Sequence, residues 1–127
     1  MGNTFEVGKK LVALCKEEKT FEAFDQLYSP NIVSIEAAGP PGKSPRMDGI
    51  EAVKGKAKWW YENHTVHSGK VEGPWPHGDR FAVRFTYDIT AKAGQMAGKR
   101  MTIDEIGLYT VKDGKIVQEE FFYHMGM

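Results

Sequence analysis

The sequence predicts an α+β fold in which helices come first and pack on one face of a curved antiparallel sheet. Two observations carry this. One short strand apart, apolar residues recur at helical spacing as far as His64, and from Val66 onward they alternate with polar ones at period two. The stretch from Lys99 to Tyr123 reads as two long strands joined by the tight turn Lys112-Asp113-Gly114-Lys115. A chain of 127 residues is large enough for one core and too small for two, so one domain is expected over residues 1–127.

Val7, Leu11 and Leu14, with Cys15 beside them, mark the first helix. Thr20 is placed to cap a second, which carries Phe21, Phe24, Leu27 and Tyr28 and is ended by Pro30. Asn31 to Ala38 forms a short strand, with Ile32, Ser34 and Glu36 on one face and Val33, Ile35 and Ala37 on the other. Gly39 to Met47 holds three prolines and two glycines and reads as a loop, with a composition that allows a shaped cover. Asp48 opens a third helix, and Glu51 stands three residues on to complete a capping box. Its stripe is Ile50, Val53, Ala57, Trp60 and His64. Val66 to Trp75 is a strand, broken off at Pro74, Pro76 and Gly78. Phe81, Val83, Phe85, Tyr87 and Ile89 line one side of the next, and Gly94 to Gly98 connects it to the final hairpin.

The 17 basic and 17 acidic residues balance, so the chain has no electrostatic footprint for nucleic acid or an acidic membrane surface. Lys54, Lys56 and Lys58 form the densest basic run, spread around a helix as a solvated face. Cys15 has no partner for an internal disulfide and sits in an apolar pattern, as a packing thiol would. Without an apolar leader segment or a run of membrane-spanning length, a cytoplasmic location is expected. No histidine and cysteine spacing suits zinc, and no phosphate-cradling loop accompanies the carboxylates, so no metal is expected. His64 suits a helix C-terminus, His67 and His77 read as surface, and His124 falls on the face opposite Tyr123.

The last two strands each carry a glutamate on an otherwise apolar face. Met101, Ile103, Glu105, Gly107, Tyr109 and Val111 share one face, as do Val117, Glu119, Phe121 and Tyr123. An ionised carboxylate on a buried apolar face is strongly unfavourable unless paired, and a ligand pocket is one reason to keep it there. On the opposite face Ile106, Leu108, Ile116 and Phe122 form an apolar patch, with Gln118 and Glu120 as its polar part. Such a patch suggests a partner surface, most simply a twofold homodimer.

The order of Phe21-Glu22-Ala23-Phe24, Leu27-Tyr28, Asp48-Gly49-Ile50-Glu51-Ala52-Val53 and Tyr109-Thr110-Val111-Lys112-Asp113-Gly114-Lys115-Ile116 resembles the NTF2-like superfamily, in particular its SnoaL-like and ketosteroid-isomerase-like branch. The resemblance spans nearly the whole chain. It implies a cystatin-like cone, helices packed in a curved antiparallel sheet, with a hydrophobic cavity inside and homodimers formed through the sheet. Ketosteroid-isomerase-like enzymes place a carboxylate base eight residues after a tyrosine that ends the second helix; from Tyr28 that spacing leads to Glu36. The rest of that machinery differs. Leu11-Val12-Ala13-Leu14 has no tyrosine for the oxyanion, and Gly107 occupies the place of a protonated aspartate, with Glu105 two residues away. Tyr123 does match the aromatic of the last strand; because the other two positions differ, steroid isomerisation is not expected, but a related acid–base cavity is.

If the three strand faces look into one cone, Glu36, Glu105 and Glu119 share one low-dielectric space, and desolvation and repulsion raise their pKa values. Two of them holding one proton would offer an acid and a base near neutral pH. In this reading Glu36 is the base, Glu105 or Glu119 the acid or hydrogen-bond partner, and Tyr123 and Tyr87 position a small hydrophobic substrate. Trp60, Phe85 and Phe121 wall the cavity. The chemistry is of isomerase, cyclase or dehydratase type and needs no cofactor. A non-catalytic ligand-binding or dimerisation module of the same fold is the alternative. A purely structural domain would instead have its glutamates paired with Arg46, Arg84 or Arg100, or open to water.

Overall fold

In the computed structural model, which describes residues 3–37, 42 and 44–123, α1 (Thr4–Lys16) and α2 (Thr20–Leu27) precede β1 (Tyr28–Ile35). There follow β2 (Arg46–Asp48), α3 (Ile50–Glu62), β3 (His64–His77), β4 (Arg80–Ala91), β5 (Arg100–Lys112) and β6 (Lys115–Phe122). One mixed sheet takes the order β2-β1-β6-β5-β4-β3. Its neighbours are antiparallel except β1 and β6, which run parallel with Ser34 opposite Glu119. The sheet is curved and unclosed, and irregularities in β3 between Val66 and Ser68 and between Glu72 and Trp75 bend the strand that packs over α1.

The helices lie against the concave face because their apolar stripes match its apolar rows. Leu11, Phe24, Leu27 and Val53 join Phe81, Val83, Phe85, Tyr109 and Ile116 in one buried cluster. Gly8 in α1 allows close approach to β3, since a β-carbon there would stand 2.8 Å from Pro74. Asp113 and Gly114 both take positive φ, 52° and 78°, the paired left-handed conformation that turns β5 back into β6.

Several local expectations are corrected. α2 stops at Leu27, because Tyr28 is already extended at ψ 141° and Pro30 lies inside β1 rather than ending a helix. Thr20 makes no cap; its hydroxyl meets the Tyr61 hydroxyl at 3.0 Å. Gly49, at φ 93°, precedes α3 without a side-chain cap, and Asp48 is instead held by Arg46 at 2.9 Å, so no capping box forms. Arg46–Asp48 pairs with β1 as a short strand where the sequence suggested only loop. The rest of the loop read over 39–47 lies largely outside the described residues, as do Ala38 and His124. β3 runs on through Pro74 and Pro76, which an edge strand tolerates. Ile116 is fully buried in the core instead of on the outer face, because a register shift opposite Thr110 and Val111 turns it inward. His64 opens β3 rather than ending the helical stripe, donates Nδ1–H to the Trp60 carbonyl at 2.8 Å and stacks on the Trp60 ring.

Candidate active-site cavity

Between the helices and the concave sheet lies a cavity of about 180 Å³. Its helical wall comes from Leu11, Cys15, Phe24, Val53, Ala57 and Trp60, and its sheet wall from Phe85, Tyr87, Tyr109 and Phe121. Glu36, Glu105 and Glu119 all line it. Alternation explains the last two: Glu119 faces Tyr109 across β5 and β6, and Glu105 faces Phe85 across β4 and β5. Glu36 follows β1 directly, on the face of Ile32 and Ser34, both completely buried.

The three carboxylates have unlike surroundings. Glu119 is only 3% exposed, and both of its oxygens are engaged. Oε1 accepts from the Tyr28 hydroxyl and Oε2 from the Ser34 hydroxyl at 2.7 Å. Burial raises its pKa, against the opposing pull of Lys56 and these two hydrogen bonds; the Glu36 charge adds to the rise. Glu36 Oε2 accepts from Lys56 Nζ at 2.7 Å and Oε1 from the Tyr123 hydroxyl at 3.1 Å. Glu105 receives no hydrogen bond from any side chain among the described residues. Burial pushes its carboxyl from the ordinary 4.5 up to about 7; the Glu36 charge adds to this, Lys56 opposes it and Glu119 adds a little.

Lys56 is the correction of greatest consequence. Within the run expected to be a solvated face, Lys54 does reach out to Asp25 at 2.8 Å and Lys58 is exposed. Lys56 instead points inward, with Nζ 2.7 Å from Glu36, 2.7 Å from Ser34 Oγ and 3.9 Å from Glu119. The signal was present: Lys56 stands three residues after Val53 and four before Trp60, beside the apolar stripe. An ammonium therefore stands between Glu36 and Glu119. Ser34 and Tyr28 complete this network, and neither was singled out as polar machinery.

Arginine pairing does not explain the glutamates. Arg46, Arg84 and Arg100 bind Asp48, Asp104 and Asp88, at 2.9, 2.7 and 2.7 Å. Of the aromatic residues expected to contact substrate, Trp60, Phe85, Tyr87 and Phe121 line the cavity. Tyr123 lies in an adjoining groove that shares Glu36, Glu105 and Phe121 with it. The Cys15 thiol faces the cavity too, and burial, with a smaller contribution from the Glu119 charge, pushes it up to about 12, which leaves it inert as a nucleophile. Among the described residues no cluster of three His, Cys, Asp or Glu could hold a metal ion, and no helix is long and apolar enough to cross a membrane.

The Glu105 environment sets an expected pH dependence of stability. Its folded pKa lies above the unfolded one, so the folded state binds the extra proton, and this contribution is fully present below about pH 4.5 and lost as pH rises through about 7. The loss is up to about 3 kcal/mol. Urea unfolding of the wild type and of Glu105→Gln at pH 5 to 8 reads it, at about 1 kcal/mol resolution or better. The variant should lack this part of the decline, and identical slopes would contradict the assignment.

A SnoaL-like domain model matches residues 3–123. A candidate SnoaL-like polyketide cyclase from Mesorhizobium loti is 45% identical, with 93% of this chain and 97% of that one covered and a TM-score of 0.85. A candidate isomerase from Bacillus subtilis (18% identical, 97% and 87% covered, TM-score 0.73) shares the fold. So does a cystatin-like-fold protein of unknown function from Xanthomonas campestris (16%, 97% and 92%, 0.75). No curated protein matches the chain.

Proposed function

The chain belongs to the SnoaL-like family, with the NTF2-like, cystatin-like α+β fold, and on that premise we propose that it is a cofactor-independent acid–base enzyme acting on a small hydrophobic molecule held in the cavity. The observation that supports this is the pair of unlike carboxyl groups in one apolar space. Glu36 is the ion-paired carboxylate, and Glu105 is the desolvated one that keeps its proton up to about pH 7. Glu36 takes a proton from carbon beside a carbonyl, leaving the C–H electron pair in the enolate. Glu105 returns a proton at a different carbon, and exchange with solvent resets both groups. Trp60, Phe85, Tyr87 and Phe121 hold the apolar body, and Tyr123 steadies Glu36. Glu119, only 3% exposed and held by two hydroxyls, positions its neighbours, whereas the Glu36 side chain, 27% exposed, stays open to substrate. Double-bond shifts, aldol-type cyclisations and dehydrations of carbonyl compounds can each start from such a proton transfer. A single cysteine suits work in the reducing cytoplasm.

The test is a panel of small apolar ketones and β-dicarbonyl compounds in D2O, followed by NMR for exchange of the carbon-bound protons. Exchange above the buffer rate is the expected result. Compounds that bind without exchanging would show the non-catalytic ligand-binding module instead.

The same reading includes a homodimer through the outer sheet face. Phe122, 49% exposed, pairs in register with Ile106, and Leu108 lies alongside. Sedimentation equilibrium should give a dimer, and Phe122→Glu should give a monomer; a monomeric wild type would refute this interface.

A further inference from the structure

We infer that Lys56 is the group that receives negative charge from the ligand, so that the cavity takes small apolar molecules whose carbonyl oxygen becomes an enolate. The inference rests on the acid–base reading above and names the substrate class of the same site. An ammonium has three protons to donate. Lys56 gives one to Glu36 Oε2 at 2.7 Å and one to Ser34 Oγ at 2.7 Å. Glu119 Oε2, at 3.9 Å, is too distant to accept the third. Lys56 lines the cavity, and its Nζ stands 5.3 Å from the centre of the Phe121 ring. With no further acceptor for it among the described residues, the remaining N–H is a charged donor in a largely apolar, desolvated cavity, where it is worth more than in water.

The network holds this donor in place before any ligand arrives. Ser34 accepts from Lys56 and donates to Glu119, whose other oxygen is held by Tyr28. Glu36 fixes the second proton and stands next to the third. A ligand oxygen at the third N–H thus places its neighbouring carbon near the Glu36 carboxylate, so base and oxyanion donor act on adjacent atoms. As the C–H electron pair shifts into the carbon–carbon bond, the carbonyl oxygen gains the charge that Lys56 accepts.

The probe is 4-nitrophenol, a one-ring phenol whose coloured anion reports ionisation in the bound state. At about pH 6, where Glu105 keeps its proton, wild-type protein should favour the bound anion by about tenfold, one pH unit of preference. Lys56→Met combined with Glu119→Gln removes the cation together with one buried carboxylate, and should abolish the preference. Lys54→Met, which removes an outward-facing lysine of the same helix, should retain it, and a circular dichroism spectrum of the double variant matching wild type assigns the loss to the cation and not to damaged folding. An unchanged preference in the double variant, or a wild-type cavity that binds only neutral phenol or none, overturns the inference. Proton exchange on the ketone panel separates this from the parent reading. Wild-type exchange that survives the double variant removes Lys56 and leaves the acid–base enzyme. Absent wild-type exchange with a retained phenolate preference removes the enzyme and leaves Lys56 as an anion-binding group.

Discussion

Glu105→Gln should lower proton exchange at the second carbon of the responsive ketones, the one Glu105 protonates, by about 10²- to 10⁴-fold, the usual worth of a positioned acid–base group. Ligand affinity should stay within a few-fold, because the amide keeps the shape of the carboxyl and no side chain among the described residues hydrogen-bonds the group it replaces. Glu36→Gln should also lower turnover by about 10²- to 10⁴-fold, but with a different pH signature. Wild-type exchange should fall as pH rises through about 7, where Glu105 loses its proton. The residual rate of Glu105→Gln should not share that inflection, whereas the residual rate of Glu36→Gln should keep it. An exchange rate unchanged in Glu105→Gln would remove this residue from the chemistry whatever its proton affinity.

Glu119→Ala should destabilise the fold by about 3 to 5 kcal/mol, the range for breaking a buried charged network by removing one partner. Two hydroxyls lose their acceptor: Tyr28, buried at the start of β1, and Ser34, with no exposed surface. Each orphaned polar group costs about 1 to 3 kcal/mol, and the cavity left in the core adds to this. Glu119→Gln should lose less, since an amide oxygen still accepts one of the two hydroxyls. Urea unfolding of the three proteins reads the order. A loss below about 1 kcal/mol in the alanine variant would mean that water readily replaces Glu119 and that it does not organise the site.

Much of this was legible from the chain because it depends on neighbours in sequence. Helical spacing in Val7, Leu11 and Leu14 and alternation from Phe81 to Ile89 follow from backbone geometry alone, and Asp113-Gly114 marks its turn by tolerance of positive φ. Alternation also placed Glu105 and Glu119 on inward faces. The misreadings come from competing partners, some near in sequence and some far. Asp48 looked like a helix cap until Arg46 bound it, and Thr20 until Tyr61 did. Ile116 was misplaced because a register shift in the pairing with β5 is a property of two strands together.

The sequence by itself therefore determined the α+β class, the order of elements and which strand faces carry acid, since each rests on periodicities of 2 and 3.6 residues that the covalent chain imposes. Only the tertiary structure decided what those acids are. It brought Ser34 and Glu119 side by side through parallel pairing of the first strand with the last, and turned Lys56 in to meet them. It also left Glu105 desolvated and, among the described residues, without such a partner. The physical reason is that a carboxylate's proton affinity, and the direction in which a lysine points, depend on burial and on charges a few ångströms away. Those neighbours lie far apart in sequence, and only Lys56, beside the apolar stripe of its helix, left a local trace.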